Sequence, residues 1–186
     1  IIGELNDVTK KYSQPRRTQI LYDFDELSDV EAEAAPDYPV HLFFTKHGYF
    51  KKITPQSLRM SGAQKLKEDD VIIQSYEANN NDELLFFTNK CQVYKSSAAD
   101  FEDTKASVLG DYVASKLNMD EGETAIYMAP VSKYTGYMLF VFENGKVAKI
   151  DIKSYETKTN RRKLIKAYSD KSPLAAAVYM PDGDAE

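Results

Sequence analysis

One hairpin is written three times in this chain. The stretch from Leu42 to Lys52 lines up without a gap on Leu85 to Lys95, and Leu139 to Lys149 is a third copy. Gly48, Cys91 and Gly145 fall at the same place in each, so the copies stand 43 and then 54 residues apart. Self-similarity at about 40 to 50 residues marks propeller blades or another repeat array, in which a unit buries its apolar face only by stacking on its neighbours. Such a chain is predicted to be mostly β and to carry its function on a repeated surface rather than in one pocket.

Each copy has the same grammar: an apolar strand, a short turn with glycine or a polar pair, and a second strand ending in lysine. In His47-Gly48 and Asn144-Gly145 the glycine supplies the positive φ that tight hairpin turns require. Cys91 fills that position in the middle copy and reads as a tolerated substitution. It has no histidine beside it in sequence to activate the thiol. The aromatics Phe43, Phe44, Phe86, Phe87, Phe140 and Phe142 alternate with smaller residues and are expected in the blade core. Further strands are expected over Val71 to Tyr76 and Thr124 to Ala129, giving about four strands per unit and about three units. Lys105 to Leu117 reads as helical, and Leu174 to Met180 as the opening strand of another unit. Ahead of the repeats, Ile1, Ile2, Leu5 and Val8 have helical spacing, and Pro15 stops that helix. Asp23 to Pro39 is acidic and aperiodic and reads as a linker.

The 186 residues suffice for one sizeable domain or a compact array with a short appendage. No apolar run is long enough to cross a bilayer, and the beginning Ile1-Ile2-Gly3-Glu4 lacks the pattern of a signal peptide. One cysteine fits a reducing compartment, so the expectation is a cytoplasmic protein without membrane contact. The formal net charge is −5, but the charge is unevenly placed. Asp23 to Asp37 has seven acidic residues and no basic one, whereas Lys146 to Lys171 has nine basic side chains against three acidic. Local potential matters more to a polyanion than total charge does.

With these observations in place, the chain resembles the A subunit of bacterial type IIA DNA topoisomerases, gyrase or topoisomerase IV. Tyr12-Ser13-Gln14-Pro15-Arg16-Arg17-Thr18-Gln19-Ile20 is similar to the segment that closes the coiled-coil arm of the breakage-reunion core. The first two hairpins resemble the blade motifs of the C-terminal domain. Leu109-Gly110-Asp111-Tyr112 through Leu117-Asn118-Met119-Asp120-Glu121-Gly122-Glu123 resembles the connector between its blades. The resemblance implies a β-pinwheel, a propeller-like array of four-stranded antiparallel blades whose outer edge binds and bends DNA, of which about three blades are present. By it, residues 1–22 end the helical arm, 23–39 are the acidic linker, and 40–186 form a partial pinwheel. The wrapping loop of gyrase, Gln-Arg-Arg-Gly-Gly-Lys-Gly, has no match. Thr159-Asn160-Arg161-Arg162-Lys163-Leu164 keeps its paired arginines and lacks its glycines.

Strand passage needs a tyrosine nucleophile with an arginine beside it and carboxylate-held magnesium. The Arg-Tyr-Thr signature of the family is absent, and Lys133-Tyr134-Thr135 reads as an ordinary loop, so this polypeptide is not expected to cut DNA by itself. The resemblance places ATP and magnesium on other domains or subunits of the parent enzyme, with no cofactor here. No metal site is expected either: His41 and His47, on one apparent strand, would lie roughly 20 Å apart.

Lysines repeated at equivalent places suit the evenly spaced phosphates of a duplex without reading bases. The candidates are Lys51, Lys52, Lys95 and Lys149 at the ends of second strands and Lys46, Lys90 and Lys146 at the turns. Arg59, Lys65 and Lys67 extend the first patch, and Lys153, Lys158, Arg161, Arg162 and Lys163 the last. Lysines that merely blunt exposed strand edges are the plain counter-reading. The expected role is non-catalytic: to hold and bend duplex DNA for ATP-dependent strand passage by a parent that also contains the B subunit. The alternative is a propeller-like protein-interaction module without DNA binding. Unpaired terminal strands also make self-association of the fragment plausible.

Overall fold

Helix α1 spans Ile2–Tyr12, with Glu4 in its first turn and Lys10 and Lys11 in its last, the charge order that a helix dipole favours. The computed structural model describes residues 2–12, 36–157 and 162–181. The rest of the expected arm and most of the expected acidic linker lie outside the described residues. Residues 35–186 belong to a unit separate from the one containing α1.

The first repeat supplies strands β1 (Pro39–Thr45) and β2 (Tyr49–Ile53), the short helix α2 (Pro55–Arg59) and strand β3 (Ile72–Asn79). The second supplies β4 (Glu83–Thr88), β5 (Val93–Ser97), β6 (Asp111–Tyr112), helix α3 (Val113–Lys116) and β7 (Ala125–Val131). The third supplies β8 (Tyr137–Phe142), β9 (Val147–Asp151), β10 (Lys163–Leu164) and β11 (Leu174–Met180). Three sheets result, ordered β3-β1-β2-β6, β10-β5-β4-β7 and β11-β8-β9, and every ladder is antiparallel. The sequence alignment is also a structural one, because Leu42 faces Lys52, Leu85 faces Lys95 and Leu139 faces Lys149 across their hairpins.

One rule generates the sheets. The strand that follows a hairpin pairs with the first strand of that hairpin, as β3 does with β1, β7 with β4 and β11 with β8. The outer strand arrives from beyond the next hairpin: β6 follows β5 yet pairs with β2, and β10 follows β9 yet pairs with β5. Two expectations are corrected here. Within residues 105–117 only Val113–Lys116 is helical, because Gly110, at φ +86°, feeds β6 so close to β2 that a Cβ would sit 2.3 Å from the Phe50 carbonyl oxygen. Residues 174–180 do not open a new unit; as β11 they close the third sheet against β8.

The three turns are alike. Gly48, Cys91 and Gly145 adopt φ of +81°, +56° and +76° and donate their amides to the carbonyls of Thr45, Thr88 and Phe142 at 3.0, 3.2 and 2.9 Å. This is the three-residue hairpin loop closed by a left-handed bulge residue.

Stacking of the sheets explains the uninterrupted apolar runs. In β4, Leu84 and Phe86 enter a cluster with Leu42, Phe44 and Phe50, while Leu85 and Phe87 enter another with Met138, Phe140 and Phe142. All four β4 residues are fully buried, so the middle sheet is covered on both faces, each side chain contributing about 2 kcal/mol on transfer. Phe50 meets Phe101 at 4.5 Å and Phe86 edge-on at 5.8 Å; Phe87 meets Phe140 at 5.4 Å. The aromatics expected in the blade core are there.

Candidate nucleic-acid interface

The lysines at the ends of the second strands do not share one environment. Lys51, Lys52 and Lys95 are 1%, 3% and 8% exposed, which corrects their placement on a phosphate-facing rim. Other parts of the chain cover each of them, and a buried ammonium needs partners inside the protein. Lys51 Nζ donates to the Lys65 carbonyl at 2.6 Å, and burial holds its pKa below the usual lysine value. Lys52 Nζ donates to Asn80 Oδ1 at 2.7 Å and lies 3.3 Å from Asp103 Oδ1. Lys95 Nζ donates to Thr157 Oγ1 at 3.2 Å, lies 3.6 Å from Glu83 Oε2 and sits over the Tyr134 ring. Lys149, at the equivalent place in the third hairpin, is exposed, with its Nζ 3.9 Å from the centre of the Tyr137 ring. The Tyr134 hydroxyl donates to Glu83, and burial, with that carboxylate beside it, pushes the phenol pKa up, so it is held protonated.

Buried carboxylates clasp the first two turns. Asp70 stands two residues before Ile72, the residue paired with Thr45; Glu123 stands two before Ala125, the residue paired with Thr88. Asp70 Oδ1 accepts the amides of His47 and Val71, each at 2.9 Å. Burial works to raise the Asp70 pKa, but the Thr45 hydroxyl, those two amides and the charge of His47 outweigh it and hold the carboxyl below its ordinary range. Glu123 accepts from the Thr88 hydroxyl, from Tyr94 Oη at 2.8 Å and from the Asp120 amide at 3.2 Å. In the third sheet the matching residues are Phe142 and Ser172.

Four of the exposed lysines gather at the turns of the second and third hairpins. Lys90 and Lys166 line a depression of about 480 Å³ with Cys91, Ile150, Tyr168 and Asp170. Lys146 and Lys171 line a second, of about 170 Å³, and Ser169 borders both. The chain between β10 and β11 is seated there by bonds from the Ala167 amide to the Cys91 carbonyl at 2.8 Å and from the Glu143 amide to the Pro173 carbonyl at 3.0 Å. All four lysines are exposed, and Lys90 Nζ also reaches the Glu121 carbonyl at 2.6 Å. Four ammonium groups with one carboxylate, Asp170, in the lining can take up phosphates one at a time, without fixed geometry. Burial pushes the Cys91 thiol pKa up, which keeps it protonated beside them.

The other candidates lie apart. Lys46 is exposed at the first turn, Arg59 ends α2, and Lys65 and Lys67 lie on the stretch before β3, all exposed. Lys153 is exposed after β9, and Arg162 is exposed beside β10. Lys163 is half-buried, bonded to Asp120 at 2.6 Å and placed over the Tyr94 ring, and its pKa is raised by the hydrogen bonds to those two groups. Lys158 and Arg161 lie outside the described residues. Lys166 and Lys171 are additions that the hairpin pattern does not supply. They sit in no repeated motif, and only their membership of the basic stretch 146–171 marks them in the sequence.

No family model matches the chain. It is 27% identical over 170 residues to the A subunit of DNA topoisomerase 4 from Bacillus subtilis, covering 89% of this chain and 21% of that protein. The Staphylococcus aureus protein of the same name is 27% identical over 166 residues, covering 87% and 21%. The chain thus spans about a fifth of the length of these curated relatives. A crystal structure of the C-terminal domain of DNA topoisomerase IV superposes with a TM-score of 0.68 at 27% identity, covering 79% of this chain and 47% of that one. The C-terminal domain of E. coli ParC shares the fold, with a TM-score of 0.58 at 14% identity over 77% and 57% of the two chains. Among the described residues no helix is long and apolar enough to cross a membrane. In sequence over most of its length and in fold, the chain is similar to the C-terminal domain of the topoisomerase IV A subunit.

Proposed function

We propose that this chain is a DNA-holding and DNA-bending part of the A subunit of a type IIA topoisomerase. It presents duplex DNA to a parent enzyme that passes strands at the expense of ATP and includes a B subunit. The similarity to topoisomerase IV supports the parent, and the four lysines around Ser169 carry the DNA contact. Phosphates supply the affinity, so sequence preference is small and salt dependence steep. The buried Lys51, Lys52 and Lys95 take no part.

A fluorescence anisotropy titration with a duplex of about 40 base pairs tests this, repeated over a salt series. The slope of log K against log salt falls by about 3 to 4 when Lys90, Lys146, Lys166 and Lys171 are all changed to alanine, following about 0.9 per phosphate contact. Absence of binding at low salt, or binding indifferent to salt, overturns the proposal. An unchanged slope in the fourfold variant moves the contact to another face.

A further inference from the structure

Beside the first sheet lies a depression that the four lysines around Ser169 do not touch. It holds about 600 Å³ between two stretches of chain, residues 54–63 around α2 and residues 105–107. Lys51 ties these stretches together from behind the lining: its Nζ donates to the Lys65 carbonyl at 2.6 Å and to the Ala106 carbonyl at 3.5 Å. The Lys65 amide donates to the same Ala106 carbonyl at 2.8 Å. The volume lies in the range of small-molecule sites, and the three bonds form it in advance of any ligand.

Hydrogen bonding in this lining is one-sided. The carbonyls of Thr54, Gln56, Ser57, Lys105 and Ala106 all accept from donors inside the protein. Donors remain over. Among the described residues, the amides of Gly62, Ala63 and Ser107 and the hydroxyl protons of Ser57 and Ser107 meet no protein acceptor. The charge has the same sign, since Lys105 lines the depression and no carboxylate does. Lys51 is buried without a carboxylate partner among the described residues, so its charge stands uncompensated behind the lining. Successive amides left free in a concavity with cations beside them suit an anion. Met60, 83% exposed, adds apolar surface to the same lining, and its thioether suits an aromatic ring.

We propose that this depression binds a small phosphate monoester carrying a planar organic group, of the size and chemistry of a nucleoside monophosphate. The free amides, the two serine hydroxyls and Lys105 hold the phosphate, and Met60 packs on the organic group. Lys51 touches no ligand; it sets the spacing of the two stretches and adds charge from behind. A monoester carries up to two negative charges, whereas a duplex offers singly charged diesters, so the monoester is the better occupant.

Amide NMR spectra of the 186-residue chain, titrated with adenosine 5′-monophosphate at constant ionic strength, test the site. The Gly62, Ala63 and Ser107 amides are expected to move saturably with a Kd of about 1 mM, and with inorganic phosphate about fivefold more weakly. Absence of saturable movement up to about 50 mM of the nucleotide overturns the proposal, as does equal affinity for the two probes. Lys105→Ala is expected to weaken nucleotide binding about tenfold at an unchanged unfolding midpoint, and Met60→Ala to bring the nucleotide down to the affinity of phosphate. Unaltered nucleotide binding in either variant also overturns it. A duplex of about 40 base pairs that moves the same three amides at lower concentration than the nucleotide assigns these donors to DNA and refutes the small ligand. Lys105 is not among the four lysines of the DNA proposal, so the salt slope for duplex binding is expected to survive Lys105→Ala and the two proposals fail separately.

Discussion

The first two sheets and the third hold the same turn with different chemistry. In all three, the residue opening the turn donates its amide to the carbonyl just before the neighbouring strand: Lys46 to Val71, Asn89 to Thr124 and Glu143 to Pro173, at 2.9, 3.1 and 3.0 Å. Only in the first two is that backbone bond reinforced by a threonine and a buried carboxylate. In the third, Phe142 takes the threonine's place and packs 6.4 Å from the Tyr168 ring. Threonine and acid come and go together. A buried carboxylate without donors costs more than the clasp contributes, so a repeat that loses the hydroxyl also has reason to lose the acid.

The sharpest break of this comparison is Glu123→Ala, which leaves the Thr88 and Tyr94 hydroxyls buried without their acceptor. It is expected to cost about 3 kcal/mol in urea unfolding, whereas Ser172→Ala in the third sheet stays within about 0.5 kcal/mol. Lysines at matched register give the next contrast. Lys52→Ala leaves the buried Asn80 Oδ1 without its donor and costs about 2 kcal/mol, while Lys149→Ala forfeits an exposed cation–π contact of less than about 1 kcal/mol. Equal losses in the two would show that burial does not distinguish the sheets.

Acid stability sharpens it further. Since the folded Asp70 pKa lies below its unfolded value of 3.8, the unfolded chain binds more protons near that pH. The stability from Asp70 is therefore present above the unfolded pKa and lost as pH falls through the folded one. Asp70→Asn is expected to flatten the acid limb of a melting-temperature profile, and Ser172→Asp to leave it unchanged. The smallest effect belongs to Cys91→Gly. Relief of a left-handed residue is opposed by the greater freedom of glycine when unfolded, so the expected gain is at most about 1 kcal/mol. Calorimetry of both forms checks it.

Short apolar runs and turn glycines are properties of a few adjacent residues, and they placed the hairpins, β3, β7 and the buried aromatics correctly. Even Cys91 declared itself by occupying a glycine's place. The outer strands β6 and β10 escaped because each is two residues long and pairs far along the chain. Nothing local distinguishes such a strand from a loop. The lysines misled for a related reason: identical spacing says that Lys52, Lys95 and Lys149 are equivalent in register, but what covers each is decided by residues distant in sequence, Asn80 and Asp103 for Lys52 and Thr157 and Tyr134 for Lys95. Lys166 and Lys171 are neighbours of Lys90 and Lys146 only through the path of residues 165–172 between two turns.

Because an outer strand is lent across hairpins, no cut in the chain coincides with a cut between sheets. Trimming the third repeat at its first residue also strips β10 from the second sheet and bares β5. Units joined in this way unfold together and cannot be shuffled singly; a viable deletion must remove one hairpin and the strand lent to its predecessor in a single excision.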